Sequence, residues 1–185
     1  MVALPQDMSP FQLGTEGTYR GTSFSIIGRI KMEWEEGIWN NWFLVTQEGK
    51  KGWLTEAYGS YSVIFEVEES LLKEKLTHYP EYSLKEEERH TSDTTYHFPI
   101  GSPLFIENTP LEITDIKKAI CIGSEGEVPF PVLQSRKVLS IDLMGKTDEF
   151  GNIEIDNHDR RIYLGHYMEW DEMHCKNFKL LEGWM

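Results

Sequence analysis

The chain has few cysteines and no long hydrophobic run. Two cysteines, Cys121 and Cys175, are present in 185 residues, which excludes a disulfide framework. No segment approaches the roughly 20 consecutive apolar residues that a membrane-spanning helix requires, so direct membrane insertion is not expected. The first residues lack both a charged start and a long apolar segment and therefore do not form a signal peptide. These absences predict a cytoplasmic protein.

Positive charge is also scarce. The chain has 18 basic and 31 acidic residues and a formal net charge of -13. Nucleic-acid binding depends on lysines and arginines that displace counterions, so this balance argues against a nucleic-acid partner. It argues equally against attraction to an anionic membrane surface. The sequence leaves the oligomeric state open.

Glycines and aromatic residues are dense between positions 13 and 65, where three of the six tryptophans lie on apolar stretches. Glycine every few residues between apolar, β-branched segments is typical of short twisted strands joined by tight turns. A glycine inside a strand, as at Gly28, indicates a bulge or a close backbone approach. The pattern predicts strands at Phe24–Ile30, Ile38–Thr46, Lys51–Thr55 and Tyr61–Val67.

Strand patterns return in the second half of the chain. Short apolar runs separated by glycine-containing turns predict strands at Ala119–Ile122, Val138–Leu143, Ile153–Ile155 and Arg161–Tyr167. The stretch after them, 168–181, has a partial helical register. It is either a short helix or an irregular segment packed on the sheet.

Residues 68–118 differ in character from the stretches on either side. They are charged, with one short helical candidate at Glu69–Leu76 that Pro80 ends, and the polar remainder forms either long loops or an extra hairpin. We therefore predict a single β-rich domain over residues 1–185, with a core of 11–66 and 119–170 and an insertion of 68–118. The predicted fold is mainly β, with antiparallel meanders forming a small barrel or sandwich and a charged, partly helical insertion. One barrel and two half-barrels are both compatible with this pattern.

Short motifs recur in order through both halves of the chain. They are Leu13-Gly14, Gly17, Ile26–Ile30, Trp39, Trp42–Leu44, Gly52–Glu56, Gly59, Gly126–Pro129, Asp142-Leu143 and Ile162–Gly165. In their order and density these motifs resemble a bacterial family known as domain of unknown function 4178. The resemblance implies a small β-rich module with no established catalysis and with a partner-binding role. One departure is Asn40-Asn41, where the family usually has acidic and aromatic residues, so no carboxylate role is assigned there.

The aromatic set of the first half is the main candidate for binding. Trp39 and Trp42 point to opposite faces of one strand, so the tryptophans cannot all enter one core. Either at least one of them lines a groove, where aromatic rings supply binding energy at low entropy cost, or large aromatics pack on both faces of a small barrel. The candidate binding residues are Trp34, Trp39, Trp42, Trp53 and Tyr58, with Glu127 and Asp142 as acidic members.

Catalytic and metal sites are weakly indicated. Glu127 would need a second carboxylate opposite it, such as Asp142 or Asp156, to shift its pKa, and the simpler interpretation is a solvated acidic turn. A zinc site usually draws on closely spaced ligands, and the only close pair among the late histidines and cysteine is adjacent in sequence. We therefore predict no catalytic residue, no metal and no cofactor. The residues considered as metal ligands are His158, His166, His174 and Cys175.

Three functions remain open from the sequence. The leading hypothesis is a non-catalytic binding or adaptor module whose partner, a protein, contacts aromatic and acidic surface. The first alternative is a hydrolase or metal-dependent enzyme that uses Glu127, Asp142 and the late histidines. The second is a structural subunit of an assembly, which a large flat apolar patch would favour.

Overall fold

A computed structural model of the chain describes residues 8–71, 100–129, 136–156 and 159–181. Antiparallel strands account for most of these residues, and no helix among them is long and apolar enough to cross a membrane. One 3-10 turn (Glu69–Leu71) and one short helix, α1 (Trp170–Met173), accompany the strands. The strands are β1 (Glu16–Tyr19), β2 (Thr22–Trp34), β3 (Gly37–Thr46), β4 (Lys51–Ala57), β5 (Ser60–Val67), β6 (Pro103–Ile106), β7 (Thr109–Gly126), β8 (Lys137–Met144), β9 (Glu149–Ile155) and β10 (Arg160–Met168).

The fold class expected from the sequence is confirmed: the chain is mainly β, antiparallel and of the barrel type. Every strand that the sequence predicts lies inside an observed strand. The observed strands are longer because backbone pairing continues through polar residues at their ends, as at Lys31 and Glu33 of β2. Helix is a minor component, and α1 is the short helix that was one of two alternatives for residues 168–181.

Within the region predicted as an insertion, the extra-hairpin alternative is confirmed. β6 and β7 pair with Leu104 opposite Leu111, across the two-residue turn Glu107-Asn108. Both turn residues have positive φ, 48° and 69°, which is the backbone of a type I′ hairpin turn. The candidate helix at Glu69–Leu76 begins with the 3-10 turn, and its residues 72–76 lie outside the described part of the chain.

Two compact units divide the chain, and the first comprises Met1–Phe65, Ile120–Arg136 and Tyr167–Met185. Its strands follow the order β1-β2-β3-β4-β5, and residues 120–126 of β7 pair with the second half of β2. The core of this unit is rich in aromatic rings. Its members include Phe11, Phe24, Ile26, Trp42, Leu44, Leu54, Tyr61, Val63, Phe65 and Met173.

The second unit comprises Glu66–Ala119 and Lys137–His166, with strand order β10-β9-β8-β7-β6. Its core is aliphatic, because these strands alternate leucine and isoleucine with polar residues. That core consists of Leu104, Ile106, Leu111, Ile113, Leu139, Ile141, Leu143, Ile153 and Ile162. The assignment of residues 1–185 to a single domain stays a prediction.

Gly28 marks a bulge in β2, as the sequence predicts. The register between β2 and β3 shifts between Ile26 and Gly28. On the other side of β2, the amide of Glu127 donates to the carbonyl of Ile27 at 2.8 Å. A Cβ atom at Gly28 would lie 2.7 Å from the carbonyl carbon of Glu127 and closer still to its oxygen. The predicted bulge and the predicted close approach are therefore both present.

Candidate functional site

Three of the five candidate aromatic residues are buried. Trp42 is fully enclosed on one face of β3, while Trp39 on the opposite face and Trp53 on β4 are also buried. The ring of Trp53 packs on Phe43, with 4.9 Å between the ring centroids. Both faces of β3 are covered, and these three tryptophans belong to the core. The binding role assigned to them stays a prediction.

The carboxylate of Glu56, on β4, is a hydrogen-bond hub that the sequence did not reveal. Asn40 Nδ2 and Trp42 Nε1 donate to Glu56 Oε1 at 3.0 and 3.2 Å, and Ser9 Oγ donates to Oε2 at 3.0 Å. Burial raises the pKa of Tyr61, and the negative charge of Glu56 raises it further. The three residues that donate to Glu56 are separated from it in sequence by between 14 and 47 positions. It holds the segment around Ser9 to the sheet, which is a structural role.

The two remaining aromatic candidates, Trp34 and Tyr58, form an exposed site that we call the aromatic corner. It lies where the β2–β3 and β4–β5 hairpins turn. Tyr58 is 68% exposed, while Trp34 is half-buried. Trp34 Nε1 donates to the Tyr58 hydroxyl at 3.0 Å, and that hydroxyl donates to the carbonyl of Glu36 at 3.3 Å. The two hairpins are thus joined by side-chain hydrogen bonds.

The backbone at Tyr58 is unfavourable for a tyrosine. Tyr58 has φ 51° and Gly59 has φ 79°, so both residues of the two-residue turn occupy the left-handed region. Asn-Gly is the preferred pair in such a turn, and a bulky residue there is uncommon. The left-handed conformation costs an ordinary residue roughly 1 to 2 kcal/mol. Local backbone preference therefore does not explain why a tyrosine stands at this position.

The two hairpin segments that carry the aromatic corner are acidic. Glu33, Glu35 and Glu36 are exposed on the β2–β3 hairpin. No lysine, arginine or histidine stands in either hairpin segment, 33–38 or 56–60, whereas four glutamates do. The corner therefore combines apolar rings with a negative rim.

The two acidic candidates belong to different surroundings. Glu127 is exposed in the first unit, directly after β7, and its described contact is the backbone bond to Ile27. Asp142 is in the second unit, on β8, where Lys117 Nζ lies 3.1 Å from Oδ2 and Asn152 Nδ2 donates to Oδ1 at 2.9 Å. Both oxygens of Asp142 are therefore already used in holding its neighbours.

The lysine beside Asp142 is shielded from water, and its side chain is 14% exposed. Lys117 Nζ also lies 3.1 Å from Asp115 Oδ2. Burial alone would lower the pKa of Lys117, but the two carboxylates, Asp142 above all, outweigh it and raise that pKa. A lysine with a raised pKa stays charged at neutral pH. It suits a structural ion pair better than a nucleophile or a base.

We expect Lys117→Met to lower the free energy of unfolding by roughly 1 to 3 kcal/mol at neutral pH, because Asp142 and Asp115 lose their cation. A raised pKa in the folded state stabilises the fold fully below the unfolded pKa of about 10.5, and this contribution is lost as the pH rises through the folded value. The difference between wild type and variant should therefore shrink above about pH 10.5. Urea unfolding followed by far-UV circular dichroism across this range measures it.

The control for this substitution is Lys146, an exposed lysine of the same unit in the turn between β8 and β9. Lys146→Met should change the unfolding free energy by less than about 0.5 kcal/mol. A difference between wild type and Lys117→Met that stays constant through the alkaline range would contradict the raised pKa.

The late histidines were considered as metal ligands. His166 lies on β10 in the second unit, His174 follows α1 in the first unit, and His158 lies outside the described residues. Among the described residues, no group of three or more His, Cys, Asp or Glu side chains could hold a metal ion. Burial raises the pKa of the Cys175 thiol to about 11. At neutral pH Cys175 is therefore a thiol and not the thiolate that nucleophilic chemistry requires.

An open cleft of about 350 Å³ lies elsewhere in the first unit. It is lined by hydroxyl groups of β1–β3, including Thr18, Ser23 and Ser25, and by His174 and Lys176. None of the candidate binding residues lines it, and His174 is the one residue considered as a metal ligand that does. Sequence analysis missed the glutamates beside the aromatic corner. Their signal was the run 33–36, which has three carboxylates around Trp34 at a hairpin turn.

Comparison with known proteins gives one match. The family model described as Domain of unknown function (DUF4178) matches residues 12–170. No curated protein and no solved structure matches this chain.

Proposed function

The chain belongs to the family of domain of unknown function 4178, and we propose that it is a non-catalytic adaptor that binds another protein through the aromatic corner. The observation that carries this proposal is Tyr58. Its ring is 68% exposed although its backbone conformation disfavours a tyrosine. Residues held in sparsely populated conformations are concentrated at functional sites. Exposed tyrosine and tryptophan are also the residues most often found at the energetic centre of interfaces.

The corner is well arranged for binding because its side chains are already held in place. The hydrogen bond from Trp34 to the Tyr58 hydroxyl and the bond from that hydroxyl to Glu36 fix the tyrosine ring before a partner arrives. A side chain that is ordered in the free protein loses less conformational entropy on binding. This favours the adaptor function over the enzymatic alternative, for which the contacts of Asp142 give no support.

We also propose that the protein acts in the bacterial cytoplasm. Its two cysteines are free thiols, Cys121 buried and Cys175 half-buried. Free thiols are typical of reducing compartments, whereas oxidising compartments favour disulfides.

Tyr58→Asn tests the adaptor function without damaging the fold. Asparagine suits the left-handed turn position before Gly59, so the free energy of unfolding should stay within about 1 kcal/mol of wild type. The exposed ring is lost, and with it the central contact of the proposed interface. Proteins retained on immobilised wild-type chain from a lysate of the source cells should be lost from the variant, as quantitative mass spectrometry measures.

The matched control is Arg20→Asn. Arg20 and Gly21 form the same kind of turn, with φ 48° and 81°, between β1 and β2. Arg20→Asn should retain the same proteins as wild type. An unchanged set of retained proteins for Tyr58→Asn would show that the aromatic corner is not the binding surface, and the proposal would then be wrong.

A further inference from the structure

The chemistry of the aromatic corner also indicates what kind of partner it accepts. Resting on the adaptor function proposed above, we infer that the partner presents a basic segment that places an arginine guanidinium on the ring of Tyr58. Two properties of the corner support this, namely the charge of its rim and the use of the Tyr58 hydroxyl. A third observation is the stacking of cations on aromatic rings elsewhere in the same unit.

Charge complementarity is the first property. Glu33, Glu35 and Glu36 are exposed around the corner, and the two hairpin segments contain no basic residue. Opposite charges at the rim of an interface guide the approach of the partner and exclude wrong partners. An acidic partner, and equally a second copy of this chain with net charge -13, would bring like charges together. A basic segment gains both from the rim and from the overall field.

The second property is the state of the tyrosine hydroxyl. It accepts from Trp34 and donates to the carbonyl of Glu36. The hydroxyl, which is the part of a tyrosine that would hydrogen-bond to a partner, is therefore already used within the protein. What Tyr58 offers to a partner is its ring face, which is apolar and electronegative. A cation bound over that face would be attracted both by the ring, through a cation–π interaction, and by the charge of the nearby carboxylates.

Stacking of cations on rings already occurs in this unit. The guanidinium carbon of Arg29 lies 4.8 Å from the ring centroid of Trp42, and the ammonium of Lys50 lies 4.3 Å from that of Phe65. Arginine is the better choice for the corner because its planar, weakly hydrated guanidinium stacks on a ring and can also bond a carboxylate through its free N–H groups. Lysine would interact with the rim mainly as a point charge.

The experiment uses fluorescein-labelled octa-arginine as the probe, titrated by fluorescence anisotropy with the full chain at low and high salt. Removing two rim charges with Glu35→Gln/Glu36→Gln should weaken binding roughly five-fold. Tyr58→Asn keeps every charge and should weaken binding roughly three-fold. Octa-lysine should bind wild type more weakly than octa-arginine does. The differences in affinity that depend on charge should diminish at high salt. The loss caused by Tyr58→Asn, which depends on the ring, should remain.

The matched control removes the same charge elsewhere. Glu48→Gln/Glu172→Gln changes two exposed carboxylates of the first unit that are not part of the corner. It should weaken binding by less than about two-fold. Equal losses for the two double variants, or equal affinities of the arginine and lysine peptides, would overturn the inference. If the peptide experiment fails in either of these ways and Tyr58→Asn still loses the proteins retained from the lysate, the adaptor function stands and the basic partner is excluded.

Discussion

Gly28→Ala is expected to destabilise the first unit by at least about 3 kcal/mol. The added methyl group would meet the carbonyl of Glu127, which is backbone and has no rotamer to change. To admit it, β2 and the chain after β7 would have to separate, and the bond from the Glu127 amide to the Ile27 carbonyl would be lost. For a chain of this length, such a loss lowers the melting temperature by roughly 6 to 12 °C.

Urea unfolding followed by tryptophan fluorescence measures this effect selectively. Every tryptophan among the described residues belongs to the first unit. Gly49→Ala is the control, because Gly49 has φ 85° and open space around its Cβ position. That variant should lose only the roughly 1 to 2 kcal/mol of an unfavourable backbone conformation. A Gly28→Ala variant that loses no more stability than this control would contradict the expected clash with the Glu127 carbonyl.

Trp42→Ala is expected to lower the free energy of unfolding by about 3 to 5 kcal/mol. The indole is fully buried, its ring packs against Phe11 with 6.1 Å between centroids, and the Arg29 guanidinium lies over it. Its Nε1 also donates to Glu56. Alanine therefore leaves a cavity, removes the stacking partner of a buried cation and deprives a half-buried carboxylate of one donor. Urea unfolding followed by far-UV circular dichroism measures the loss.

Trp42→Phe separates the packing of the aromatic ring from its hydrogen bond to Glu56. Phenylalanine keeps an aromatic ring in the core and removes the donor to Glu56, so a loss of roughly 1 to 2 kcal/mol is expected. Trp34→Phe, at the half-buried edge of the aromatic corner, should cost less than about 1 kcal/mol. A Trp42→Ala variant within 1 kcal/mol of wild type would contradict the central place of this ring in the core.

The contrast between Trp42 and Tyr58 shows why the candidate site could be predicted only in part. Both belong to the same run of aromatic residues, and both are candidate binding residues from the sequence. Period-two alternation tells which face of a strand a residue occupies, but not whether a second layer covers that face. Coverage depends on segments distant in sequence, such as the one that carries Phe11 to Trp42. Trp39, Trp42 and Trp53 are therefore core residues, and the exposed aromatic surface is the smaller corner.

The strands and the bulge could be predicted because they follow from the preferences of residues that are neighbours in sequence. Glycine spacing and alternating apolar residues specify strands within a few positions, so all eight predicted strands and the bulge at Gly28 were identified. The hairpin of β6 and β7 was identified only as one of two alternatives. Its alternation of Leu111 and Ile113 with polar residues is short and follows a charged stretch.

Only the tertiary structure decided which polar groups act together. The Glu56 hub joins Ser9, Asn40 and Trp42 across three separate segments, and the ion pair of Lys117 and Asp142 spans 25 positions. The aromatic corner likewise requires two hairpin turns, 24 positions apart, to bring Trp34 to the hydroxyl of Tyr58. Such contacts follow from strand order and register, which depend on the summed packing of the sheet and not on the residues that finally meet.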